Sequence, residues 1–365
     1  MGNSSARSPV ASTLGAVLSL AALAVIATDS ATAHIDYVTD GAGETGDPIA
    51  FAVEVLSQPE NALLFGGTGL LGGVALLGYL WVRPTIPDID VLRATLSEYR
   101  DLVPWMLRLS MGLPLIGAGF AGYYFSPAVE TAPRLLMIGL GFFLLFGLAT
   151  RFVAAVGLVA YLVGLASDLR LLLSMEYVPG LLAIVLLGGG RPSADHMLGA
   201  VANAEGTLYG RVDPFHRLGH WFAERVAPFA RYAPSVIRVG LGVTFVYLGL
   251  VEKILQPGRA LQVVEQYDLT AIVPVDPGAW VLGAGLAEIA LGVLLIGGLL
   301  TRGVAAAAFV VFTLTMFGLP DDPVLAHVTM FGLASAVFTL GSGPLALDNF
   351  VTDAEHRTNH PTPAD

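Results

Sequence analysis

The stretch VTFVYLGLVEKILQPGRA, residues 243–260, sets Glu252 beside Lys253, the only lysine among 365 residues. A further carboxylate, Glu288, lies within the apolar run GAGLAEIALGVLLIGGLLTR, about nine residues inside a segment that begins near Ala279. At 1.5 Å per helical residue this places it roughly 14 Å deep in a bilayer. A carboxylate there costs about 2.5 to 3.5 kcal/mol unless it faces the bundle interior and is paired or protonated, so it is a functional candidate by default. The alternative is an interhelical hydrogen bond with no chemistry. Counting depth along the helices puts Tyr247 at a similar level, Lys253 about one and a half turns further out, and His327 at the level of Glu252. With Thr315 these residues predict a polar pocket open to the outer half of the bundle, with carboxylates to exchange protons and an ammonium as a charged donor. Taken alone, Glu252 and Lys253 are also consistent with snorkelling to the interface. Arg238 and Arg108 stand near the opposite helix ends, where interfacial anchoring is the default.

The elements that must position these groups are transmembrane helices. Hydrophobic residues make up 55% of the chain and charged ones 13%, and the apolar residues fall in blocks long enough to cross a bilayer. No alternating ten-residue pattern points to a barrel. The fold class is therefore all-α: a polytopic helical membrane protein with spans at roughly 62–82, 105–125, 134–150, 152–167, 177–190, 234–255, 279–300, 303–319 and 324–341. An N-terminal signal segment, 1–33, is expected from Arg7, the apolar run 14–27 and the small residues before His34. Arginines cluster in alternate loops, which predicts the mature N-terminus outside and the C-terminus cytoplasmic in a plasma membrane.

The absence of cysteine excludes disulfides, thiol catalysis, iron–sulfur ligation and thiolate metal sites in this chain. A net charge of −11 argues against nucleic acid as a partner, and the excess of acidic residues suggests a salt-adapted proteome. His327 is the only intramembrane candidate for an axial ligand, so no haem is expected. His34 has no partner histidine nearby, so no metal site is expected. The strings GTGLLG (67–72) and GAGFAG (117–122) lie inside apolar spans with no preceding strand, which suits close helix contact better than nucleotide binding.

An internal repeat organises the chain. RLSMGLPLIGAGFAGYYFSP (108–127) aligns on RVGLGVTFVYLGLVEKILQP (238–257), LGFFLLFGLATR (140–151) on LGVLLIGGLLTR (291–302), and GGGRPSAD (188–195) on GSGPLALD (341–348). This divides the chain into 34–104 with one span, a degenerate four-helix unit at 105–195, a linker at 196–233 with an amphipathic helix, a four-helix unit at 234–348, and a polar tail at 349–365. Both units run in the same direction, unlike the inverted repeats of many secondary transporters. Only the second carries Lys253 and Glu288, which align with Tyr123 and Met137.

The second unit, with Arg238, YLGLVEKIL, the Gly285 and Glu288 pair and the closing GSGPLALD, resembles the DoxX family of four-helix membrane proteins. That resemblance implies association with quinone-linked oxidoreductases such as thiosulfate:quinone oxidoreductase, or with membrane redox-stress complexes. Together with the polar residues above, this leads to the expectation of a membrane subunit in which Lys253 hydrogen-bonds a quinone carbonyl and Glu288 relays a proton, with Glu252 beside them and Tyr247, His327, Thr315 and Arg238 lining the site. No redox cofactor motif is present, so electrons would come from a partner subunit. A small-solute transporter or channel and a non-catalytic scaffold are the alternatives.

Overall fold

The computed structural model describes residues 47–82, 86–130, 133–209, 214–320 and 324–349. The expected signal segment, His34 and nearly all of the tail lie outside them. Helix α1 (Pro48–Ser57) starts where Asp47 accepts the Ile49 amide at 2.9 Å, an N-cap followed by proline at the first helical position. Next come α2 (Pro59–Val82) and α3 (Pro87–Glu98), then a 3₁₀ turn (Arg100–Leu102). The first unit comprises α4 (Val103–Ala121), α5 (Arg134–Phe146), α6 (Thr150–Ser167) and α7 (Tyr177–Leu187). A small antiparallel ribbon, β1 (Tyr123–Tyr124) and β2 (Ser126–Glu130), follows α4. Helices α8 (Ala194–Asn203) and α9 (Pro214–Val226) form the connection. In α9 the Arg225 guanidinium stacks 5.0 Å above Trp221. The second unit comprises α10 (Ala233–Tyr247) with a π-helical extension (Leu248–Ile254), α11 (Pro257–Gln266), α12 (Leu269–Ile272), α13 (Pro277–Gly297), α14 (Thr301–Gly318) and α15 (Val324–Leu340).

Among the described residues six helical segments are long and apolar enough to cross a membrane. Three expected spans are shorter: α5, α7 and α15. Helix α5 stops at Phe146 because Gly147 turns left-handed, and α7 is preceded by a 3₁₀ stretch (Leu169–Ser174) that takes the place of further helix.

The two units share one core. Helix α4 packs on α15 and α10 on α7, with Ser110 against Gly332 and Gly240 against Pro179. In the sequence alignment Ser110 is matched with Gly240 and Pro179 with Gly332, so the two contacts join matched positions. Leu107, Met111, Leu181 and Ile184 from the first unit join Ile237, Leu241, Leu333 and Val337 from the second. Small residues at such crossings let the backbones approach, which is what drives helix association in lipid.

The repeated sequence motifs build a lock at one end of each unit. Ala149 and Leu300 take φ of 49° and 54°, a left-handed conformation that costs a non-glycine residue on the order of 1 to 3 kcal/mol. Asp195 offsets this by accepting from the Ala149 amide (2.6 Å), the Thr150 amide (2.8 Å) and the Thr150 hydroxyl (2.6 Å). Asp348 does the same for Leu300 (2.9 Å), the Thr301 amide (3.2 Å) and the Thr301 hydroxyl (2.9 Å). Beneath each lock lies a buried arginine. Arg238 donates to the carbonyls of Leu295, Ile296, Ser342 and Leu345, and Arg108 to that of Pro192. Arg238, expected among the ligand-lining residues, is thus occupied with holding helix ends together.

Candidate functional site

Lys253 and Glu288 meet directly. The Lys253 Nζ donates to both carboxylate oxygens, at 2.9 Å and 2.7 Å. Backbone proximity makes this possible: a Cβ on Gly249 would stand 2.5 Å from the Gly285 carbonyl oxygen, and one on Gly285 would stand 2.9 Å from that of Gly249. The Cα–Cβ bond of a helical residue tilts towards the N-terminus, so the lysine stem closes the depth difference counted from sequence. Glu288 occupies the middle of α13. The two side chains are 25% and 13% exposed, on the flank of the bundle.

The π-helix decides which way the neighbouring groups point. Its wider turns carry i→i+5 bonding, as in Leu255 N–H to the Leu250 carbonyl at 2.8 Å, and such insertions recur at functional sites. Here Lys253 reaches across to α13 while Glu252 turns inward and is 3% exposed. Tyr247, also buried, lies within electrostatic reach of Glu252, and its hydroxyl has no hydrogen-bond partner among the described residues. The expected single pocket thus resolves into a pair on the flank and a group inside. Thr315 is not brought to either: its hydroxyl donates to the Val311 carbonyl of its own helix at 3.0 Å. His327 is buried near the start of α15, two residues before Thr329.

Thr329 leads to a residue that the sequence reading missed. Its hydroxyl donates to Glu176 Oε1 at 3.1 Å, and Glu176 is 4% exposed. In the sequence alignment Glu176 is matched with Thr329, so this bond joins matched positions. The second carboxylate oxygen of Glu176 has no partner among the described residues. Tyr161 lies within electrostatic reach of both Glu176 and Tyr247, and its own hydroxyl donates to the Leu171 carbonyl at 2.6 Å. Phe125 closes this region, its ring 5.3 Å from Tyr161 and 5.1 Å from Tyr177.

The family comparison falls on the unit that carries the pair: the DoxX model matches residues 233–328. This stretch of the chain is a DoxX domain. No curated protein and no solved structure matches the chain. Tyr247, Glu252, Lys253, Glu288, Thr315 and His327 all fall within the DoxX domain, whereas Glu176 does not. At the corresponding place in the first unit, Met137 is fully buried in the apolar core, and the Arg134 guanidinium comes within 2.8 Å of where a Gly122 side chain would begin.

Because two glycines set the approach of α13 to the π-helix of the DoxX domain, Gly249→Val is expected to part the helices and break the ion pair. The overpacking should cost about 1 to 3 kcal/mol. Gly69→Val, on the face of α2 where nothing lies within 4 Å, should leave stability unchanged. Thermal unfolding of the two variants in detergent checks the contrast; equal losses would count against the crossing as the support of the pair.

Proposed function

We propose that the DoxX domain is the membrane subunit of a quinone-linked redox complex, with Lys253 and Glu288 facing the quinone, and that residues 105–195 form a second, DoxX-like unit that supplies support rather than chemistry. The observation that carries this reading is a doubly hydrogen-bonded ammonium–carboxylate pair in mid-helix, partly open on the flank of the bundle. An apolar ligand dissolved in the bilayer reaches such a flank laterally. A lysine ammonium has three donors; two serve Glu288, and the third is available to a carbonyl oxygen. Glu288 stands at the same place as a carboxylate able to pass a proton to the ligand. Tyr247 and Glu252 continue the polar line inward. A bound quinone would supply two-electron, two-proton chemistry, with the electrons coming from a partner subunit.

The test is to extract the protein with its surrounding lipids and look for quinone by mass spectrometry after organic extraction. Wild type should retain it. Lys253→Met should weaken retention at least about tenfold, because a hydrogen bond from a charged donor is worth roughly 1.5 to 3 kcal/mol. Glu288→Gln should keep the ligand and stop proton-coupled turnover, since an amide does not titrate. A wild-type preparation that is empty and also fails to take up added quinone overturns the proposal in favour of a transporter or a scaffold.

A further inference from the structure

A separate cleft of about 480 Å³ opens at the far end of the DoxX domain. It is lined by Pro234, where α10 begins, some nineteen residues or roughly 28 Å along the helix from Lys253. Two guanidinium groups enter it: Arg100 from the 3₁₀ turn before α4, and Arg302 from the start of α14. The loop Gly341, Ser342, Gly343 and Pro344 forms the opposite wall, with Asn349 donating to the Gly343 carbonyl at 2.7 Å to brace it. Among the described residues no carboxylate lines the cleft.

The charges are gathered against their own repulsion. Arg93 and Arg100 both lie within electrostatic reach of Arg302. Arg93 is paired with Asp90 at 3.4 Å, and Asp348, a carboxylate within electrostatic reach of Arg302, already accepts from Leu300 and Thr301. Arg302 is held in place by donating its Nε to the Phe338 carbonyl at 2.9 Å and one Nη to that of Thr339 at 3.3 Å, which leaves its other Nη for a ligand. The Arg100 side chain makes no hydrogen bond among the described residues and is exposed. Beside Gly343, the Ser235 hydroxyl is buried with no partner among the described residues.

The first unit lacks this combination. Arg151 matches Arg302 and holds the carbonyls of Val185 and Leu187 in the same way, but the residue in register with Arg100 is Ala230. The second guanidinium is therefore a feature of the DoxX domain's own cleft, contributed by the segment that precedes the first unit.

We propose that this cleft binds a phosphate-bearing anion, the ligand whose several oxygens satisfy two guanidinium forks at once. A phospholipid headgroup and a soluble phosphate share that chemistry, and the experiment separates them. Full-length protein, stripped of lipid in detergent, is offered phosphatidylglycerol or phosphatidylcholine and examined by native mass spectrometry. In parallel, its thermal stability is followed with inorganic phosphate against chloride at equal ionic strength. A lipid site predicts about a tenfold preference for phosphatidylglycerol that Arg100→Gln abolishes. A soluble-phosphate site predicts stabilisation by inorganic phosphate, lost in Arg100→Gln, with no lipid preference. Because Arg100 is exposed and bonds to nothing described, the variant should fold as wild type does without ligand. Wild type showing neither effect, or Arg100→Gln retaining whichever effect wild type shows, overturns the proposal.

Discussion

Lys253→Met is expected to destabilise the full-length protein by about 3 kcal/mol, because it strands the Glu288 carboxylate in mid-membrane without its counter-charge. Adding Glu288→Leu to the same chain should recover most of that loss, since two apolar residues of suitable size pack where the pair stood. Quinone retention should not recover. The measurement is unfolding in detergent for wild type, the single variant and the double variant, with bound quinone assayed on each. A double variant as unstable as the single one would mean that the two residues are not energetically coupled, and the pair would lose its place as the centre of the site.

Arg238→Met should have a still larger effect on folding. The side chain serves four backbone carbonyls, those of Leu295, Ile296, Ser342 and Leu345, in a fully buried position. The Leu295 carbonyl keeps the Gly298 amide as a donor, but each of the other three left without one costs about 1 to 3 kcal/mol, which together approaches the whole stability of an ordinary domain. The expected result is no monodisperse protein on gel filtration. Arg238→Lys should rescue it only weakly, because a point charge on a flexible stem does not reach four oxygens in a planar array. Arg108→Met should be milder, with the Pro192 carbonyl as its bonded partner. If Arg238→Met runs as a normal monodisperse species, the guanidinium is not what secures this end of the unit.

These two residues also show how far the sequence could be read. Glu288 and Lys253 stood out because a charge in an apolar run is costly enough to need a reason, but their direct bond did not, since counting depth along the helices set them about one and a half turns apart. Arg238 was equally conspicuous, yet its task could not be read, since the carbonyls it serves come from helix ends remote in sequence. Glu176 was invisible for a different reason. A carboxylate just ahead of an apolar run reads as an interfacial residue, and nothing local announces a threonine partner in the other unit. The π-helix leaves no mark in composition at all, because one extra residue per turn changes bonding without changing residue type. The repeat motifs were found readily, but their purpose, an aspartate securing a strained turn, emerged only when Asp195 and Asp348 were seen in place.

The bond from Thr329 to Glu176 has a consequence for how the chain is made. The partners are separated by 153 residues, so at about 5 to 20 residues per second the ribosome needs roughly 8 to 30 s to deliver the second after the first. When Glu176 is made, helices α1 to α6 are already synthesised, while the surface that α15 will cover stays bare to the end of the interval and the Glu176 carboxyl has no hydroxyl to meet. The first half of the newborn protein is therefore an unfinished client of the insertion machinery, and its acid marks the place where assembly waits for the second half.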